Sequence, residues 1–77
     1  MLSDLLHPGD IVVCKYFNIE TPNKRWMVYD VDRKNQAVYF RTIIDERTWS
    51  QRVCNFYEVD AMISRGDMRV VPEENIF

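Results

Sequence analysis

Hydrophobic residues come in short runs along this chain, and polar, turn-forming residues part them. The first run, Ile11–Phe17, leaves only Lys15 charged and predicts a strand covered on both faces. Arg25–Val31 alternates, with Met27, Tyr29 and Val31 set against Trp26, Val28 and Asp30. A buried, unpaired aspartate is costly, so the Met27 face is expected inward and the Asp30 face outward. Ala37–Ile44 alternates again, placing Val38 and Phe40 on one face and Tyr39, Arg41 and Ile43 on the other. A fourth strand falls within Thr48–Val59, firmest at Arg52–Tyr57, and its blurred alternation predicts a bulge or an irregular start. Asp67–Val71 makes a short last strand, stopped by Pro72.

The segments between these runs carry turn chemistry. Met1–Leu6 predicts one helical turn with Ser3 as N-cap, ended by Pro8. Pro8-Gly9-Asp10 predicts a tight turn into the first strand, and Asn18–Lys24 a loop. Asp32–Gln36 has the length of a hairpin connector, and Asp45-Glu46-Arg47 is the next turn. Asp60–Arg65 predicts a helical turn capped by Asp60 and ended by a left-handed Gly66. The expected fold is therefore mainly β: a five-stranded, SH3-like small barrel with a short helical turn before its last strand. It is read as a single domain, with a lead-in over 1–9, the barrel over 10–72 and a tail over 73–77. The tail Glu73–Phe77 is polar until Ile76 and Phe77, and is expected either to fray or to pack those two residues back on the barrel.

Composition supports a folded domain. The chain has 77 residues, 47% hydrophobic and 29% charged, with two glycines and three prolines, which is neither disordered nor low-complexity. A chain this short holds one modest core. The net charge of −2 carries no electrostatic footprint for nucleic acid or an anionic membrane. Charge is nevertheless uneven: residues 24–52 hold seven basic and four acidic side chains, against an acidic excess on either side. No apolar run is long enough to span a membrane, and the N-terminus lacks the charged start and apolar middle of a signal peptide. A cytoplasmic location is the expectation, with Cys14 and Cys54 as free thiols.

Gly9-Asp10 before a strand, Val12 within it, Val28 and Asp30-Val31-Asp32 in the next, and Val38 restarting the ladder together resemble the opening of SH3-like and KOW-like small barrels. Residues 60–71 resemble the closing turn and strand of such barrels. The glycine that the KOW pattern carries between its first two strands is missing here, and no site residue transfers from the resemblance. Short bacterial and phage proteins often look alike in this respect.

Candidate chemistry is sparse. His7, Cys14 and Cys54 are the only His or Cys residues, with no CxxC or HxxxH spacing, so neither metal nor cofactor is expected. Cys14 sits in an apolar strand and suits an inert thiol better than a nucleophile. Asp30 with Asp32, and Asp45 with Glu46, flank turns, where aspartate is common for conformational reasons. No glycine-rich loop can cradle a phosphate, and Arg65-Gly66-Asp67 reads as a helix end rather than an adhesion motif. What stands out is arginine interleaved with aromatics in the middle segment. That pairing is enriched at protein interfaces and also stacks on nucleic-acid bases.

The expectation is a non-catalytic binding or regulatory module that meets a protein partner through Trp26, Arg47, Trp49 and Arg52. The alternative is a nucleic-acid-binding barrel using Lys24, Arg25, Arg33, Lys34 and Arg41. A third reading is a small inhibitor of a host protein of the kind mobile elements encode. A homodimer is expected where short barrels pair their exposed edges.

Overall fold

The computed structural model describes residues 2–21 and 23–71. The expectations for Pro72 and the 73–77 tail lie outside them. After a short 3-10 turn at Leu2–Leu5, the elements are β1 (Ile11–Cys14), β2 (Arg25–Asp32), β3 (Ala37–Ile43), β4 (Trp49–Asn55), α1 (Phe56–Arg65) and β5 (Met68–Val71). The five strands form one antiparallel sheet in the order β4-β3-β2-β1-β5. The mainly β, five-stranded expectation holds. The sheet is not closed, however: β4 and β5 lie at its opposite edges.

One face of the sheet is covered. Val12, Cys14, Trp26, Val28, Val38, Phe40 and Cys54 point into a core completed by Phe56, Val59 and Met62 of α1 and by Leu6, Phe17 and Met68. Full burial of a large apolar side chain stabilises by roughly 1.5–3 kcal/mol. β1 has buried side chains on both faces, although no described element covers the outer one. Val12 and Cys14 enter the core, while Val13 is buried on the other face, in register with Arg25 and Arg69.

β1 is shorter than the apolar run. Lys15–Phe17 forms a turn, closed by the Phe17 N–H donating to the Cys14 carbonyl. Phe17 then folds back edge-on to Trp26, ring centroids 5.2 Å apart, and packs against Phe40 at 5.0 Å. Its hydrophobicity serves the core from a turn, which a run of apolar letters cannot distinguish from a strand.

The faces of β2 are the reverse of the expectation at Met27. Trp26 and Val28 are buried and Met27 is 40% exposed. The register explains this: Met27 pairs with Arg41 and Val28 with Phe40, but Asp30 pairs with Tyr39. One extra residue in β2 makes a bulge, and side-chain parity switches there. Trp26 and Val28 face the core before it. Past it, Val31 packs against the core while Asp30 stays exposed.

The helix before the last strand is longer and starts earlier than expected. Phe56 and Tyr57 belong to α1, not to β4. Asn55, not Asp60, is the N-cap: its Oδ1 accepts from the Glu58 N–H at 2.8 Å, and Glu58 Oε1 accepts from the Asn55 N–H at 3.3 Å. This reciprocal pair is a capping box. Asp60 instead accepts from the Ser3 N–H and ties the N-terminal turn to the helix. Ser3 is therefore inside that turn rather than capping it, and its buried Oγ has no partner among the described residues. Gly66 ends α1 as expected, at φ 80°, where its N–H and that of Asp67 reach the Ile63 and Met62 carbonyls. No described helix is long and apolar enough to cross a membrane.

Candidate functional site

The face of the sheet turned away from α1 carries no covering element among the described residues. β2, β3 and β4 place Met27, Arg41 and Gln51 in one cross-strand row and Ile43 beside Trp49 in the next. Ile43 is 75% exposed and Trp49 53%; Met27 and Tyr29 are also exposed.

Arg41 organises this face. Its guanidinium carbon lies 3.5 Å from the Tyr29 ring centroid and 4.0 Å from that of Trp49. Its Nε donates to Gln51 Oε1 at 3.0 Å. Cation–π attraction to both rings and the hydrogen bond hold the planar group in place. Its terminal nitrogens make no hydrogen bond or ion pair among the described residues. Beside it is a depression of about 610 Å³, walled by Ile11, Met27, Ile43 and Trp49 and rimmed by Lys24, Arg25 and Arg41. No acidic side chain among the described residues lines it. An apolar floor beside a fixed, unspent positive charge suits an acceptor group carried next to hydrophobic ones.

Of the four residues expected at a partner surface, the structure leaves Trp49 there and disperses the others. Trp26 is 3% exposed and packs in the core, so it offers no contact surface. Its Nε1 is buried without a partner among the described residues. Arg52 is on the core side of β4, where its Nη2 donates to the Phe17 carbonyl at 2.8 Å. Arg47 is exposed in the 45–48 turn and lies outside the lining of the depression. The turn itself is held by Asp45, whose carboxyl accepts the Arg47 and Thr48 N–H groups and is thereby held below the usual carboxylate range.

The basic set divides as well. Lys24, Arg25 and Arg41 gather at the depression. Arg33 and Lys34 sit in the β2–β3 turn at the other end of the strands, and Arg33 there pairs with Asp4 at 2.8 Å. Tyr29, Met27 and Ile43 join the site without having been singled out from sequence. The signal for Ile43 was its shared face with Arg41. The signal for Met27 was masked by the bulge.

A second hollow, about 400 Å³, opens on the core side between the 16–20 loop and β4, with Phe17, Trp26, Ser50 and Arg52 in its wall. The thiols lie deeper. Burial pushes Cys54 up to about 11 and raises Cys14, whose Sγ is 3.5 Å from Met62 Sδ. His7 is exposed near Asp10. Among the described residues no three His, Cys, Asp or Glu side chains gather as a metal site would require.

The chain matches no known protein family, and no curated protein or solved structure proves similar to it.

Proposed function

We propose that this chain is a non-catalytic binding module whose open sheet face docks a protein partner presenting a carboxylate beside apolar side chains. The observation that carries the reading is Arg41, fixed between Tyr29 and Trp49 among exposed apolar residues, with its terminal N–H groups unspent among the described residues. Buried-charge recognition and aromatic anchoring would then come from the same small patch, as at interface hot spots. The helix directly before β5 supports keeping the SH3-like barrel as the fold family of this module.

Affinity capture with the intact protein tests the proposal by comparison of variants. A protein captured by wild type should bind Trp49→Ala and Arg41→Glu at least roughly tenfold more weakly, and Arg47→Ala equally well. A partner insensitive to both Trp49 and Arg41 overturns it.

Nucleic-acid binding is the second reading. Lys24, Arg25, Arg41 and Trp49 around one depression, lined by no acidic side chain among the described residues, favour it. It requires affinity for single-stranded RNA or DNA that falls steeply with salt, and absence of binding at low salt dismisses it.

A further inference from the structure

Among the described residues β4 is an edge strand of the sheet. Edge strands normally carry a charge, a proline or a bulge that blocks such pairing. β4, Trp-Ser-Gln-Arg-Val-Cys-Asn, contains no proline, and its seven residues pair with β3 without a register shift. Its only charge, Arg52, is turned to the core side and engaged by Phe17.

The hydrogen-bond phase of β3 and β4 shows which main-chain groups face the open side. The Ile44 N–H donates to the Thr48 carbonyl, and the Phe56 N–H to the Gln36 carbonyl, each at 2.9 Å. Both pairs continue the β3–β4 register by one step at either end. Bonded and non-bonded pairs alternate along an antiparallel ladder. Ser50, Arg52 and Cys54 therefore bond to β3, while Trp49, Gln51, Val53 and Asn55 turn their N–H and C=O groups to the free edge. Asn55 fits this phase, since its N–H goes to Glu58 instead.

We propose that two chains pair β4 to β4 in antiparallel fashion about a two-fold axis at Gln51. In that register Gln51 faces Gln51 of the second copy, and Trp49 faces Val53 on both sides of the axis. Each of these positions exchanges both of its main-chain bonds. Trp49 and Val53, both exposed in the single chain, form aromatic–β-branched cross-strand pairs. Arg52 falls opposite Ser50. The neighbouring register, centred on Arg52, sets like charges face to face, and one centred on Val53 runs Trp49 against the partner's helix. The Gln51 register pairs residues 49–53 of each strand and opposes no like charges. The sheets of the two copies become continuous. This pairing does not depend on the partner proposed above, and its test uses the chain alone.

Sedimentation of the intact protein at millimolar concentration should give twice the chain mass of 9.3 kDa. Gln51→Glu retains an acceptor for Arg41 within one chain and sets two carboxylates against each other across the axis, so the mass should return to that of one chain. Register is read by cross-linking under mild oxidation with glutathione disulfide. Gln51→Cys should cross-link, because paired positions put Cα atoms about 5.5 Å apart. Val53→Cys should not, because its two copies lie about 13 Å apart along the strands. Both natural cysteines are buried and contribute little background. A monomer at millimolar concentration, a dimer that survives Gln51→Glu, or equal cross-linking by the two cysteine variants overturns the proposal.

Discussion

The Arg52 guanidinium donates to the Phe17 carbonyl at 2.8 Å, joining the edge strand to the turn that follows β1, thirty-five residues earlier in the chain. Its role is to clasp the fold and hold the Phe17 ring against Trp26 and Phe40. A hydrogen bond from a charged donor contributes about 1–2 kcal/mol at a partly buried position. Arg52→Ala should lower the unfolding free energy measured in urea by that amount and leave affinity at the Arg41 face unchanged. An Arg52→Ala chain of full stability would remove the clasp.

The bulge in β2 is tested by substituting its two flanking faces. Val28 is fully buried and Met27 faces solvent. Val28→Ala should cost about 2 kcal/mol in chemical unfolding, and Met27→Ala less than about 1 kcal/mol. The reverse order would return the strand to simple alternation. Sequence carried the right constraint here and the wrong geometry. Asp30 does stay out of the core, but one extra residue lets Trp26 and Val28 turn inward as well. A local insertion in pairing leaves no mark in hydropathy.

Asp67 gives the fold an acid-sensitive joint. Lys15 Nζ is 3.0 Å from its Oδ1 and Arg65 Nε 3.0 Å from its Oδ2. The hydrogen bond from Lys15 and then that from Arg65 hold its carboxyl below the usual range. A folded pKa below the unfolded value, about 3.9, means the contribution is complete above that pH and is lost as pH falls through the lower folded value. Unfolding measured against pH should show Asp67→Asn less stable than wild type at neutral pH, with the gap closing in strong acid. A constant gap would separate Asp67 from the acid limb.

The thiols supply a reporter of opening. Only the thiolate reacts, and burial raises both cysteines, Cys54 to about 11. At pH 8 the native protein should react slowly with a disulfide reagent, and both thiols should titrate at once in denaturant. Prompt native labelling of two thiols would place them at the surface.

The elements were more legible than the site. Alternation, Pro8-Gly9 and Gly66 marked five strands and a helix end, and these depend on local chemistry. The helix start was written as well, in Asn55 and Glu58, but the β propensity of Phe56 and Tyr57 obscured it. The site was partly readable: Trp49 and Arg41 were both picked out, in different groups. Their meeting with Tyr29 depends on cross-strand register and on the bulge, which only the paired strands specify. Arg52 and Trp26 were indistinguishable from them by residue type. Their opposite fates follow from which face of β4 and β2 they occupy.

β1 lies between β2 and β5, so it leaves the ribosome well before its second neighbour is made. The β2–β3–β4 meander and its hairpins close locally and can form during synthesis. β1 must wait with one flank bare until Val71 has emerged, and the loop then to be closed runs from Lys15 to Asp67. A truncation or stall ahead of residue 68 would thus strand the apolar segment Ile11–Cys14 without its cover, the circumstance in which a nascent chain most needs a chaperone.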